Sequence, residues 1–278
     1  MKLLIAHNGS ASSEAALLDL HRAGLPAVCE AIVLSVAETP GGHHLQEARN
    51  FAAKTADKLR AEFPKWHIKS ESAAGSAGPV IVEKAADWKS DLIITGSHGH
   101  SRIHLLVLGS VPKYVLQHTA CSLRISRHRV HSQKRPTRLL VGVDGSDHSK
   151  MTVKAVAARS WPAGTESLAL CVLDSRIAIG AAVTPSQAVP ADIEEENRRQ
   201  MSKAVHDAAK AFEKSGLIAT QQILTGHPGE VILAEAEKWA ADCVFVGVTS
   251  LNRVERLLSG NVSMCVASRA HCTVEVVV

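Results

Sequence analysis

The sequence predicts an α/β protein of two similar domains, each a parallel sheet with helices on both faces. Short apolar segments alternate along the chain with longer amphipathic segments, which is typical of parallel strands connected by helices. The composition is 46% hydrophobic and only 3% aromatic, which suits aliphatic strands buried on both faces. The second part of the 278-residue chain repeats the first, which indicates a duplicated domain.

The first half contains strand-like and helix-like segments in strict alternation. We predict strands near 2–7, 30–37, 66–73, 91–96 and 121–126, and helices near 12–22, 45–62, 79–89 and 110–118. Ser12 and Glu14 give the first helix a polar start, and Pro26 and Pro64 lie beyond the ends of the first two helices. Alternation of this kind implies right-handed crossovers and a parallel sheet.

Two offsets relate the halves of the chain. Residues 3–10 match residues 139–146 at an offset of 136, and from Gly75 onward the offset is 151. The matched positions include Gly75 with Gly226, Gly78 with Gly229, Trp88 with Trp239, Asp91 with Asp242, and Cys121 with Cys272. The 15-residue difference predicts an insertion in the second half, within the Gly-, Pro- and Ala-rich segment 177–190, which is typical of a loop. We predict a first domain over 1–127, a basic linker over 128–137 and a second domain over 138–278.

Charge and composition argue against several classes of protein. The net charge of +4 is too small to indicate a nucleic-acid-binding protein. The basic run RHRVHSQKRPT favours a solvated tether, with a patch for nucleic acid or an anionic surface as the alternative. No apolar run is long enough to span a membrane, and the apolar stretch at the N-terminus is too short for a signal peptide. The six cysteines form no C-x-x-C pair, so we predict buried thiols and a cytoplasmic protein.

A glycine-spaced loop occurs twice, once intact and once altered. The first copy reads Gly96-x2-Gly99-x9-Gly109-Ser110, directly after a buried strand. Glycines at a strand-to-helix turn let backbone N–H groups approach a phosphate, and the following helix presents its positive end. No Lys stands at the helix start, so this is not a Walker A loop. The second copy has Ser250 in place of the second glycine and Asn261 in place of the serine.

These residues resemble the universal stress protein family in its tandem form, over nearly the whole chain. The resemblance rests on the intact loop, on the turn Val143-Asp144-Gly145-Ser146 and on the strand that ends each half. It implies two Rossmann-like (adenine nucleotide alpha hydrolase-like) domains, each a five-stranded parallel sheet of order 3-2-1-4-5. It also implies that the last strands, 123–126 and 273–278, join the two domains, and that two tandem chains form a homodimer.

The resemblance also implies a nucleotide site, with adenine held by backbone at the end of the second strand. In the first half the corresponding residues are Ala6, His7, Asn8, Ser10, Val36, Ala37, Thr95, Gly96, His98, Gly99, Gly109, Ser110 and Val111. In the second half the weaker candidates are Asp144, Ser146, Val172, Gly247, Gly260 and Asn261. Asn8 stands where the family usually has Asp. Asn can still form hydrogen bonds but lacks the negative charge that would help to bind a metal ion. Pro112 also departs, because its ring removes one N–H from the helix start.

Three other side-chain groups have competing interpretations. His98, His100 and His104 suggest metal ligands, but the run crosses a turn and His98 has a simpler use beside a phosphate. The pair His43-His44 favours a solvated loop rather than a metal site. Ser146, Asp147 and His148 are neighbours at a helix start, which favours an N-cap over a hydrolase triad. We therefore predict no catalytic and no metal-binding residues.

The predicted function is a cytoplasmic stress-response protein that binds ATP, or ADP or AMP, with Mg²⁺ as a candidate companion ion. It would act as a sensor or regulator with an unknown protein partner, and neither a membrane nor nucleic acid is an expected partner. One alternative is a nucleotide-free interaction or assembly module. The other is a slow ATPase, for which His98 and His100 are the nearby candidate bases.

Overall fold

The computed structural model describes residues 1–39, 41–98, 108–127, 135–174, 191–248 and 262–278. The predicted insertion at 177–190 and most of the predicted linker lie outside these described residues. In the first half the strands are β1 (Lys2–Ala6), β2 (Glu30–Ala37), β3 (His67–Ala74), β4 (Leu92–Gly96) and β5 (Ser122–Ser126). The helices are α1 (Ala11–Asp19), α2 (Gly42–Glu62), α3 (Ala77–Asp87) and α4 (Ser110–His118), with a 3-10 turn over Leu20–Arg22.

The second half repeats this series of elements. Its strands are β6 (Arg138–Gly142), β7 (Glu166–Asp174), β8 (Ile218–Gly226), β9 (Cys243–Gly247) and β10 (Thr273–Val277). Its described helices are α5 (Asp147–Ala157), α6 (Ala191–Lys214), α7 (Pro228–Lys238) and α8 (Val262–Arg269). The predicted strands and helices of the first half are confirmed to within about three residues at each end.

All ten strands form one continuous sheet, in the order β3-β2-β1-β4-β5-β10-β9-β6-β7-β8. Within each half the strands are parallel and the order is 3-2-1-4-5, which confirms the predicted fold. The halves meet where β5 pairs antiparallel with β10, so the predicted joining of the last strands is confirmed. Pairing covers two apolar edges that would otherwise be open to aggregation.

The core is layered on both sides of the sheet. On one face, α1 and α2 cover one cluster of buried residues in the first half, and α5 and α6 cover a separate cluster in the second. On the other face a single cluster runs through both halves beneath α3, α4, α7 and α8. All six cysteines are free thiols. None of the helices in the described part combines the length and the apolar character that a bilayer span requires.

Candidate functional site

The turn after β1 is built by a hydrogen bond from the backbone to a side chain. Asn8 Oδ1 accepts from the N–H of Ser10 at 3.1 Å, across Gly9, whose φ of +77° suits glycine. Ser10 Oγ in turn accepts from the N–H of Ser13 and caps α1. Ser10 is buried and committed to this cap, so its role in the structure is to begin the helix.

The glycine that ends β4 has a packing reason to be glycine. A Cβ on Gly96 would lie 2.6 Å from the carbonyl carbon of Ser12 in the first turn of α1. Ser12 also binds the chain beyond the strand, because its Oγ accepts from the N–H of His98 at 3.0 Å. Helix α1 therefore fixes the backbone at His98, directly after β4, and the glycine at position 96 is needed with or without a ligand.

Helix α4 begins with backbone donors that the helix itself does not use. The N-cap residue Gly109 donates its own N–H to the carbonyl of Ser97 at 2.9 Å. The N–H groups of Ser110 and Val111 follow, and within the described residues neither has a hydrogen-bond partner. Pro112 has no N–H to add. Two amide donors and the Ser110 hydroxyl thus lie at the positive end of the helix dipole.

A cavity of about 270 Å³ lies between these elements at the carboxyl edge of the sheet. Its walls include these residues predicted for the site: Ala6, His7, Asn8, Val36, Thr95, Gly96, His98, Ser110 and Val111. Ser10, Ala37 and Gly109 are not among its described walls, and the Ala37 carbonyl accepts from the N–H of Gly75. Gly99 lies outside the described residues.

Three polar atoms in the cavity wall are buried and make no hydrogen bond in the described part of the chain: His7 Nε2, Thr95 Oγ1 and His98 Nε2. His7 Nε2 lies 3.1 Å from a carboxylate oxygen of Glu14, which leaves Thr95 Oγ1 and His98 Nε2 for a ligand. The other ring nitrogen of His98, Nδ1, lies 2.9 Å from Ser97 Oγ. Leaving such groups unpaired costs free energy, so each is a candidate contact for a polar ligand.

His7 is also in the wall, but its ring belongs to a packed cluster. Nδ1 lies 3.3 Å from Thr55 Oγ1, Nε2 lies 3.1 Å from a carboxylate oxygen of Glu14, and the ring stacks on Phe51. Burial lowers the pKa of His7, and Glu14 opposes part of that effect. Both ring nitrogens already have a polar neighbour, so His7 supports the β1 turn rather than offering a free donor.

Sequence reasoning missed several residues of the cavity wall. They are Ser13, Leu34, Glu38, Ala77 and Ile81. Glu38 contributes a carboxylate, and its Oε1 accepts from the N–H of Ala77 at 3.2 Å. One signal could have found it, because Glu38 is the first charged residue after β2, at the edge where ligands bind in parallel sheets.

The second half has a smaller cavity of about 120 Å³ at the equivalent place. Asp144, Ser146, Val172 and Gly247 line it, and Gly260 and Asn261 lie outside the described residues. Its wall has Val246 where the first half has Thr95.

The turn after β6 matches the turn after β1. Asp144 Oδ1 accepts from the N–H of Ser146 at 2.9 Å, and Ser146 caps α5, which confirms the predicted N-cap. Ser146 Oγ is thus committed to the N–H of Ser149 rather than to a neighbouring base.

One cluster in the described residues has the composition of a metal site. His43, His44 and Glu47 lie near the start of α2, and both imidazoles lie within 3.5 Å of the Glu47 carboxylate. All three side chains are exposed, which confirms the predicted solvation of the His pair. The predicted loop is wrong, because α2 begins at Gly42 and includes both histidines. His100 and His104 lie outside the described residues.

A family model and individual relatives both match this chain to the same family. The model of the universal stress protein family matches residues 1–127 and 136–278. A universal stress protein of Methanocaldococcus jannaschii is 30% identical over 145 residues, which is 50% of this chain and 81% of that protein. One from Synechocystis is 34% identical over 119 residues, or 43% of this chain, and the chain spans only 40% of its length.

A solved structure resembles the whole chain. The crystal structure of a universal stress protein from Archaeoglobus fulgidus superposes with a TM-score of 0.67, covering 99% of this chain and 95% of that one. The two sequences are 20% identical, so this likeness concerns the fold alone.

Proposed function

This chain belongs to the universal stress protein family, and we propose that its first half binds an adenine nucleotide to sense or regulate a stress response. The observation that carries the proposal is the pair of unpartnered buried atoms, Thr95 Oγ1 and His98 Nε2, in a cavity beside the start of α4. A ligand with phosphate and hydroxyl groups would satisfy both atoms.

The phosphates would bind at the start of α4. The N–H groups of Ser110 and Val111 and the Ser110 hydroxyl are donors, and the helix dipole favours an anion there. His98 Nε2 adds a fourth donor when Nδ1 accepts from Ser97. The adenine would lie near Val36 at the end of β2, where the family resemblance puts it.

The described walls fit a binding protein better than a dedicated hydrolase. Glu38 is the only carboxylate among them, and it already accepts from a backbone N–H. Mg²⁺ prefers oxygen ligands and keeps several waters, so it would be held here mainly by phosphate oxygens. We therefore place ATP, ADP or AMP in the site as a regulatory ligand, with slow hydrolysis as a secondary property.

The wider setting is part of the same proposal. We infer a cytoplasmic protein whose two-domain chains form a homodimer. Because β5 and β10 are paired within one chain, two chains would associate through another surface. Occupancy of the site would change the surface around the start of α4, which a protein partner would detect.

A nucleotide-free assembly module is the second candidate. One observation favours it: Gly96 and Gly109 both have packing reasons to be glycine, since a Cβ at either would crowd neighbouring backbone. Two of the three glycines in the loop are then explained without a ligand. In the described part of the chain, the polar atoms and N–H groups without a partner distinguish the two candidates.

A charge placed at the start of α4 tests the proposal. Ser110→Glu adds a carboxylate that the helix dipole favours but that repels a phosphate. We expect the unaltered chain to bind ATP, ADP or AMP in titration calorimetry and Ser110→Glu to lose that binding while keeping its thermal stability. Gln46→Glu, on the exposed surface of α2, is the matched control and should bind normally. Unchanged affinity in Ser110→Glu would refute the proposal, and no binding by the unaltered chain would favour the assembly module.

A further inference from the structure

The two halves meet at a pair of residues that occupy the same position in the repeat. The offset of 151 makes Glu275 the counterpart of Arg124. The antiparallel register of β5 and β10 places these two residues directly opposite each other. They therefore lie on the local twofold axis that relates the halves, where a symmetric pair of identical domains would bring one residue against its own copy.

The residue pairs on either side of Arg124 and Glu275 are aliphatic in both halves. Ile125 lies opposite Val274, and Leu123 lies opposite Val276. All four are fully buried and belong to the cluster that runs through both halves. Aliphatic pairs of this kind stabilise any pairing of the two edges, because they are nearly the same in each half.

On the opposite face the axis carries a row of charges with alternating sign. Arg124 Nε lies 2.6 Å from Asp19 Oδ2, and Arg124 Nη1 lies 3.0 Å from Glu275 Oε2. Arg159 Nη1 lies 2.9 Å from the same Glu275 oxygen, and Nη2 pairs with the other. The row reads Asp19, Arg124, Glu275, Arg159, and both axial side chains are 1% exposed.

Each half supplies one neutralised pair to this row. Asp19 and Arg124 come from the first half, and Glu275 and Arg159 come from the second. Two first halves paired on the same register would set Arg124 against Arg124, and two second halves would set Glu275 against Glu275. Like charges buried on the axis are strongly unfavourable, so the alternation of sign exists only when opposite halves meet.

We propose that β5 and β10 form a heterotypic interface, in which the edge of a first half accepts only the edge of a second half. The apolar face supplies most of the affinity, and the Arg124–Glu275 pair decides which partner is accepted. Every unit joined through this surface would then contain one intact glycine loop and one altered loop.

Contacts away from the axis also differ between the two halves. Arg22 of the first half pairs with Asp242 of the second at 2.8 Å, and the counterpart of Arg22 is Ala158. Arg159 donates to the carbonyl of Ala23, which is its own counterpart in the repeat. Neither arginine contact can be repeated by the symmetry of the halves, because the residue that matches each arginine is alanine.

Refolding of a divided chain tests the partner choice. A protease site inserted within 128–134 allows the full chain to be cut between its halves, unfolded in denaturant and refolded at equal concentrations of both fragments. We expect native mass spectrometry to show complexes of one first half with one second half. Dimers of like halves at statistical abundance would overturn the proposal. With Arg124→Leu and Glu275→Leu together, we expect those like dimers to appear.

A double-mutant cycle on the intact chain provides a second test that does not depend on refolded fragments. We expect Arg124→Leu and Glu275→Leu each to lower the unfolding midpoint strongly, with a loss of about a hundredfold or more in the folding equilibrium constant. The double variant should lose less than the product of the two single effects, because the attraction between Arg124 and Glu275 is removed in each single variant but is lost only once in the double variant. The exposed pair Lys203 and Asp207, changed in the same way, is the control and should be close to additive. Additive losses at Arg124 and Glu275 would contradict the proposed role of the axial pair.

Discussion

Replacing Thr95 by valine separates a binding role from a structural role at the candidate site. Thr95 is 3% exposed, and its Oγ1 has no partner in the described part of the chain. Valine has nearly the same shape and lacks the hydroxyl. The second half carries Val246 at the equivalent position of its own strand, so the substitution is compatible with this fold.

The size of the stability change in Thr95→Val follows from the cost of burying a hydroxyl without a hydrogen bond. An unsatisfied buried polar group costs roughly 1–3 kcal/mol, so Thr95→Val should raise the free energy of unfolding of the ligand-free protein by about 1 kcal/mol or more. If the hydroxyl binds the ligand, its loss should weaken binding by about 0.5–1.5 kcal/mol, which is roughly two- to tenfold in Kd. The variant should therefore be more stable and bind less tightly.

Urea denaturation and titration calorimetry measure the two effects on the same preparation. Ser167→Ala is a matched control, because Ser167 Oγ is also buried with no hydrogen-bond partner among the described residues but does not line the first-half cavity. The control should gain stability with no change in nucleotide affinity. A Thr95→Val variant that is less stable and binds nucleotide as tightly as the parent would show that the Thr95 hydroxyl has a partner in the ligand-free protein and does not contact the ligand.

Three further predictions concern neighbouring parts of the site. Gly96→Ala should lower the free energy of unfolding by about 1–3 kcal/mol in urea denaturation, because the added Cβ meets the backbone of Ser12, and a neutral effect would contradict that contact. Burial lowers the pKa of His7 below its ordinary 6.5, so the unfolded chain binds the extra proton first and stability should fall as pH drops from about 7. Urea midpoints between pH 8 and 5 should show this loss, and His7→Val, which introduces the residue of the second half, should flatten it; an equal slope would contradict the assignment. Pro112→Ser restores a backbone N–H at the start of α4 and should tighten phosphate binding by about 0.5–1.5 kcal/mol in calorimetry, whereas unchanged affinity would show that the ligand does not reach this turn.

The fold could be predicted because the repeat, the aliphatic strands and the helix-ending prolines all indicate the same arrangement. The boundary of β5, for example, follows from the short apolar segment after Cys121, and the structure begins that strand at Ser122. Sheet order came from the family resemblance rather than from the pattern of apolar residues. Periodicity identifies strands but does not say which strands are neighbours.

The candidate site was harder to predict, because residue type does not show which bonds a group has already made. Ser10 has the chemistry of a ligand contact, but its hydroxyl caps α1. Gly109 was expected to offer its N–H, and that N–H is bound to Ser97. Conversely, Glu38 directly follows β2 and belongs to the cavity wall because the folded chain brings it against Ala77, the first residue of α3. Each of these outcomes depends on tertiary neighbours that the local sequence does not specify.

The interface shows a similar limit. Arg124 and Glu275 occupy equivalent positions in the repeat, which the sequence alone reveals. Their contact depends on the antiparallel register of β5 and β10, and a shift by one residue would put both side chains against aliphatic neighbours. Only the folded chain establishes that the two charges meet on the axis.

The number of nucleotides bound per freshly purified chain decides whether the first half alone holds a ligand. Titration calorimetry with ATP, together with mass spectrometry of released small molecules, gives the number of nucleotides per chain. We expect one nucleotide per chain, lost in Ser110→Glu, because Thr95 and the start of α4 line the first-half cavity, whereas the second-half cavity is smaller and has Val246 in place of Thr95. Two nucleotides per chain would show that the altered loop still binds, and the absence of both heat and bound nucleotide would contradict the proposed function.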